Sequence, residues 1–387
     1  MFSMLHVADL GLKNLPYGGI NPETGLNRRF EDVRNNFHFV VSEAIKRKVK
    51  YFVIAGDINE ERNPDSLLIE TFSGFVADLI SQGIIVIVVA GNHDVDSAKG
   101  TSTSISYLKS LGLVNTYIAD REVERFEFED AVFHCIPTMY HSSLNLKTNE
   151  ELTNFLDKYI NDIKLHPEKA DILVSHYSLE TTFAGLGVDE AVLKIDSLSK
   201  FDYVALGHIH KYEMFSSFCG GYTGSLFVKD FGESFEKFFN VVGFDAENSA
   251  RISKVSVPER RFLQFDVKVP EKDENICTSE ELLEHVKNEV KDIKDAIVKV
   301  RVFTKKRVDP KPIYKWLRDE GAFHYVPIEW KITRDYVASK LQVVDGMSDV
   351  DIVKNYLDEK EVDDKTKEKV VTYVGQVTTK WDQLEAE

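Results

Sequence analysis

Asp9 in "HVAD", Asp57 in "AGDINE", Asn92 and His93 in "AGNHD", His176 in "VSHYS", and His208 and His210 in "LGHIH" each stand where an apolar run stops. All are oxygen or imidazole donors, and none is a thiol. Such a set suits two hard or borderline divalent ions such as Mn²⁺, not a structural zinc site. Singly, each has a plainer explanation. Asp9 can merely end a strand, Asp57 and "GNHD" can be turn residues, and His176 can be a satisfied core histidine. "GHIH" says more: alternate residues of a strand point the same way, which predicts that His208 and His210 share a face. All five signals recur in one context, and that argues for one site.

The apolar runs that must position these residues are strand-like. Met4 to Ala8, "VKYFVIAGD", "IIVIVVAGNHD", "AVFHCIP", "ADILVSHYS" and "FDYVALGHIH" are apolar on both faces, as in a sheet covered by helices. In such sheets the loops after the strand ends form the ligand site. Between the runs, Phe30, Val33, Phe37, Val40, Val41 and Ala44 recur at helical spacing, and "SLLIETFSGFVADLISQG" is a second amphipathic helix stopped by Gly83.

Near Arg261 the pattern changes. "RFLQFDVKVP" alternates like a half-buried strand, and "TSEELLEHVKNEVKDIK" reads as a helix with Thr278 and Glu281 as a capping box. "AIVKVRVFT" (strand), "DPKPIYKWLRDEG" (helix) and "HYVPIEWKIT" (strand) complete a small α+β region. A linker is expected near Gln342–Gly346, followed by two short helices with apolar stripes at Ile352, Val353, Tyr356 and Leu357, and at Val370, Val371 and Val374. Helices this short need a partner surface for their stripes.

Composition sets limits. At 387 residues the chain has room for two or three domains, and 43% hydrophobic residues can build a real core. A net charge of −16 argues against tight non-specific binding to nucleic acid, unless a local basic groove or metal ions supply positive charge. Cys135, Cys219 and Cys277 are odd in number and far apart, which fits free thiols in a reduced compartment. No run approaches a membrane span, and the chain starts directly in a strand with no signal peptide. The expected location is the cytoplasm, bacterial or of a phage-infected host.

In order and type, the motifs resemble those of the calcineurin-like metallophosphoesterases, D-x-H, G-D-x-x-D, G-N-H-D/E, a lone His, and G-H-x-H. Here they read Asp9-Leu10-Gly11, Gly56-Asp57-Ile58-Asn59-Glu60, Gly91-Asn92-His93-Asp94, His176, and Gly207-His208-Ile209-His210. The implied fold is α/β, a two-sheet metallophosphoesterase sandwich flanked by helices. "HVADLGLK", "RNPDS" and "YTGSLFVKDFGES" are similar to the SbcD-type DNA exonucleases of the Mre nuclease family. That likeness implies a nuclease domain at residues 1–260, a capping, DNA-positioning domain at 261–335, and a linker with ATPase-binding helices at 336–387. It further implies DNA as substrate, a role in DNA repair or recombination, an SbcC-type coiled-coil ATPase as partner, and a homodimer.

The resemblance assigns roles residue by residue. Asp57 bridges two divalent ions, Mn²⁺ in the first place and Mg²⁺ as the alternative. Asn92, His176 and His208 complete one position; Asp9 and His210 hold the other. His93 serves catalysis, and Glu60, where the family has Asp, is the candidate to orient it. Gly11 departs from the pattern, because it stands where the family has a metal-binding histidine. That implies a weakened second position and a weak or inactive chain, which Gly11→His would repair if the backbone allows a side chain there. Two rival readings share the motifs: a phosphomonoesterase or cyclic-nucleotide phosphodiesterase on the same core, and a non-catalytic DNA-binding or scaffold protein.

Overall fold

Leu5 and Val7 pack into one hydrophobic layer, and Met4 and Ala8 into another. Their strand, Phe2–Val7, is therefore covered on both sides, which is why most of its residues are apolar. The structure is a computed structural model that describes residues 1–13, 15–95, 103–182, 190–269, 278–332, 347–360 and 362–385. The linker expected near 342–346 and Cys277 lie outside them.

Two six-stranded sheets form the core. The first runs Ala250–Ser256, Phe238–Phe244, Phe2–Val7, Tyr51–Ala55, Ile85–Val89, Thr116–Ala119. Its last four strands are parallel and its first two antiparallel. The second runs Glu213–Met214, Gly220–Tyr222, Tyr203–Leu206, Ala170–Ser175, Ala131–Ile136, Glu124–Glu127. Val53, Ala55, Ile87 and Val89 of the first sheet face Phe133, Ile172, Val174 and Ala205 of the second. Outside the first sheet lie the helices Arg28–Arg47 and Ser66–Ser81, which bury Phe30, Val33, Phe37, Phe72 and Leu79. Asn27 and Asp65 cap them, accepting from Arg29 N and Phe30 N, and from Leu68 N. Outside the second sheet, the helix Asn149–Asp162 buries Leu152, Leu156 and Ile160. The expected two-sheet sandwich with flanking helices is the fold observed.

A small polar cluster sits between the sheets. His6 is fully buried with Nδ1 3.0 Å from the Tyr203 hydroxyl, and Asn240 Nδ2 donates to the same hydroxyl at 3.1 Å. Burial pushes the imidazole down to about 3, against a smaller opposing pull from the Leu206 backbone. The folded state thus keeps His6 neutral while the unfolded chain takes up a proton below about pH 6.5. Stability should fall as pH drops through the window from 6.5 toward 3, by about 1.5 kcal/mol between pH 6.5 and 5. Denaturant unfolding at those two pH values should show an acid loss smaller by that amount in His6→Asn. Equal losses in the two proteins would contradict it.

After residue 260, Phe262–Lys268 pairs in parallel with Ile297–Thr304 in a four-stranded sheet. The helices Ser279–Glu289 and Lys311–Asp319 cover it with Leu282, Val286, Ile313 and Leu317. The capping box is formed: Glu281 N donates to Thr278 Oγ1 and Thr278 N to Glu281 Oε2, both at 3.2 Å. "HYVPIEWKIT" is not one strand but two, His324–Tyr325 and Glu329–Ile332. Between them Pro327, which has no N–H to give a ladder, interrupts the pairing.

By packing, the chain divides into one unit of residues 1–303 and 308–330 and another of 304–307 and 331–387. The second contains the helices Asp349–Glu359 and Asp364–Glu385, joined by an ion pair of 2.7 Å between Lys367 and Asp358. The later helix is not short: it has 22 residues and runs on through Gly375. None of the described side chains in this unit's helices is fully buried, and Tyr356 and Tyr373 are 44% and 68% exposed. No helix among the described residues is long and apolar enough to cross a membrane.

Candidate metal centre

The residues anticipated from the motifs converge on one cleft, at the ends of strands from both sheets. Asp9, Asp57 and His176 offer ligand atoms within 4.8 Å of one another, and all three are buried. His176 Nε2 lies 3.3 Å from Asp57 Oδ2 and 3.2 Å from Asn92 Oδ1. His208 Nδ1 lies 2.9 Å from the same Asn92 oxygen. His210 Nε2 stands 3.8 Å from Asp9 Oδ1. His93 is nearest the opening: its side chain is 40% exposed, with Nε2 3.9 Å from Asp57 Oδ2.

The local backbone explains the tightness. Asp9, Asp57 and His208 all have positive φ, at 50°, 50° and 94°. Non-glycine residues adopt that region rarely, and where they do the strain concentrates at functional sites. Asp9 N donates to Gly56 O at 3.0 Å, and His208 N reaches both Asp9 oxygens at 3.1 and 3.2 Å. At Gly91 a Cβ would lie 2.1 Å from Asp57 Oδ1, so only glycine lets that carboxylate sit where it does. The buried Asp94 ties the two loops together, accepting from Gly91 N, Ile58 N and Asn59 N at 2.9, 3.2 and 3.3 Å. Burial and the Asp57 charge push it up to about 7.

Two expectations need correction. The strand of "FDYVALGHIH" ends at Leu206, so His208 and His210 are not alternate residues of a strand. The left-handed turn at His208 sends its ring toward Asn92 and Glu190, and His210 turns toward Asp9 and Glu233. Glu60 does not orient His93. Its Oε2 accepts from Lys13 Nζ at 2.8 Å and Lys229 Nζ at 3.1 Å.

The donor set fits a divalent ion. Each imidazole has one nitrogen turned outward onto an oxygen, and the other faces the cleft. His176 Nδ1 donates to Ala55 O at 2.7 Å and His210 Nδ1 to Glu233 Oε1 at 2.9 Å, while His208 Nε2 lies 3.4 Å from Glu190 Oε1. This is how metal-binding histidines are commonly oriented. Sequence reasoning misses Glu190 and Glu233. Glu233 stands in "YTGSLFVKDFGES" with nothing local to give it a role, and Glu190 carries no motif.

The charges agree. Burial raises the Asp9 carboxyl above its usual range, against the pull of His176 and His210. Asp57 is also buried, but the His176 and His93 imidazoles bring it below its usual range. Burial opposes a charge on His176, yet Asp57 and Asp9 raise it to about 9. Two buried carboxylates need nearby positive charge, which a metal ion supplies as well as a proton does. Asp57, Asn92, His176 and His208 lie together on one side of the cleft and Asp9 and His210 on the other, where Gly11 offers no side chain. Beside the first group is a cavity of about 300 Å³ lined by Tyr140, His141, Tyr177 and Glu190 as well as Asn92, His176 and His208.

Similar curated proteins include two named DNA double-strand break repair protein Mre11. The one from Methanopyrus kandleri is 29% identical over 212 residues, 54% of this chain and 44% of that protein. The one from Methanocaldococcus jannaschii is 26% identical over 274 residues, 68% of this chain and 69% of that protein. The SbcD subunit of the nuclease SbcCD of Escherichia coli K12 is 22% identical over 250 residues, 57% of this chain and 61% of that protein. The chain thus spans between about two fifths and two thirds of these relatives' lengths. A family model described as calcineurin-like phosphoesterase matches residues 2–212, more than half of the chain, and with the metal-ligand cluster of those residues it places this protein in the calcineurin-like phosphoesterase family.

Proposed function

We propose that this phosphoesterase is a DNA-hydrolysing nuclease, the nuclease subunit of an SbcCD- or Mre11-type repair complex. The observation that carries the reading is the convergence of Asp57, Asn92, His176 and His208, with each of the two imidazoles turned by an oxygen behind it. The names of the relatives supply the substrate class: DNA break repair for two, and a nuclease subunit for the third.

Asp57, Asn92, His176 and His208 would hold one divalent ion, and Asp9 and His210 with Asp57 would hold another, Mn²⁺ being the expected metal. When bound, such ions polarise a phosphate and lower the pKa of a water. The chain's own residues do the rest. Asn92 presents its oxygen beside the cleft-facing nitrogens of His176 and His208, whose rings are oriented from behind by Ala55 O and Glu190 Oε1. Asp94 keeps the loops of Asp57 and Asn92 in register. His93, at the mouth of the cleft, serves catalysis by stabilising the transition state or by protonating the departing ester oxygen. Its backbone N–H anchors the loop by donating to Asp57 Oδ1 at 2.9 Å.

Residues 1–260 are the nuclease domain in this reading, and 261–335 form the cap that positions DNA. Residues 336–387 carry the helices that dock on the coiled coil of the ATPase. The exposed Tyr356, Tyr373 and Val377 support that docking role. The complex is built on a homodimer. The reading is tested by comparing hydrolysis of duplex and single-stranded DNA with that of a small phosphodiester and a phosphomonoester, each with Mn²⁺ and with chelator. Metal-dependent cutting of DNA supports it. Turnover of only the small esters would assign the fold to small substrates, and binding of DNA without any cutting would assign it to a scaffold role.

A further inference from the structure

The space in front of Gly11 is filled. A Cβ built there would lie 2.0 Å from Cε1 and 2.3 Å from Cζ of Phe227, and the residue's φ is +58°. Phe227 is fully buried, and its ring centroid stands 6.3 Å from that of His210. Its backbone is held in place on both sides. Ser225 Oγ donates to Phe227 O at 2.9 Å, and Leu226 N donates to Asp9 O at 3.4 Å. The loop of Gly11 is also fixed, with Gly11 N and Leu12 N donating to Asp57 O and Ile58 O at 3.3 and 3.0 Å. Neither side can yield cheaply. A left-handed φ alone would not exclude histidine, which tolerates that region better than most residues. The ring is what excludes it.

We infer that Gly11 and Phe227 are a matched pair that fixes the second metal position at three protein ligands, Asp9, Asp57 and His210. The protein therefore binds one divalent ion tightly and a second loosely. This rests on the metal-dependent reading above but goes beyond it, because it names the residue that keeps the second position open. The consequence is physical. The ion there lacks an imidazole from residue 11, and even the partners behind a ligand change affinity about 10–100-fold. An open position is also what a catalytic ion uses to take up water or substrate oxygen.

The test counts Mn²⁺ on the full chain by electron paramagnetic resonance of free Mn²⁺ and by calorimetry. It compares the native protein, Gly11→His, and the pairs Gly11→His/Phe227→Ala and Gly11→His/Phe227→Leu. The native protein should bind one ion tightly and a second at least about tenfold more weakly. Gly11→His alone should lose thermal stability and gain no second tight ion. A folded double variant should tighten the second ion at least about tenfold and leave the first unchanged. Two equally tight ions in the native protein would overturn the inference, whatever the variants do. So would a second tight ion in Gly11→His with Phe227 in place, or a second ion that stays loose in a folded double variant. No tight ion at all would overturn the metal-dependent reading itself.

Discussion

Replacing His93 by alanine should lower Mn²⁺-dependent DNA hydrolysis about 10²–10⁴-fold, the range for loss of a positioned acid or base. Metal affinity should change little. The ring is 3.9 Å from Asp57 at its nearest nitrogen, and the backbone N–H that anchors this loop on Asp57 survives the substitution. Asp94 continues to hold Gly91 and Asn59. The comparison belongs in the native chain. A Gly11→His background would force a side chain into the Phe227 ring and confuse loss of catalysis with loss of fold. Steady-state rates beside a Mn²⁺ titration separate the two effects. A variant that cuts at the native rate would remove His93 from the mechanism.

Asp57→Asn should abolish tight metal binding and, with it, the stabilisation that metal confers. Asparagine is nearly the same size and keeps an oxygen for the His93 N–H, now 2.9 Å from Asp57 Oδ1. It does not keep the charge that His176 faces across 3.3 Å. A ligand that binds only the folded state stabilises it by RT ln(1 + [L]/Kd), about 2.7 kcal/mol at 100 times Kd. Mn²⁺ at that excess should raise the melting midpoint of the native protein and leave that of Asp57→Asn where it was. An equal rise in both would mean that the ion binds elsewhere.

Much of this site is visible in the sequence because its candidate ligands stop apolar runs. Asp9, Asp57, Asn92 and His176 follow within three residues of strands whose burial on both faces makes them stand out from their helical surroundings. The capping box at Thr278 is visible for the same local reason. What stays hidden depends on contacts between distant segments. Phe238–Phe244 and Ala250–Ser256 complete the first sheet, but Ala250–Ser256 alternates between half-exposed and exposed positions and lacks the continuous run of a central strand. The turn at His208 follows from a left-handed residue that periodicity does not announce. Glu190 and Glu233 matter only for the imidazoles they face. At Gly11 the missing side chain is plain in the sequence, but the ring that takes its place is not. Phe227 reads as one more apolar residue until the fold brings it there.

Anomalous diffraction from a crystal soaked in Mn²⁺ tests the account most directly, since everything in it depends on metal at this cleft. At low Mn²⁺ the account predicts one strong peak among Asp57, Asn92, His176 and His208. A second peak, beside Asp9 and His210, should appear only as the concentration rises. A strong peak elsewhere on the protein with none among these four residues would contradict it.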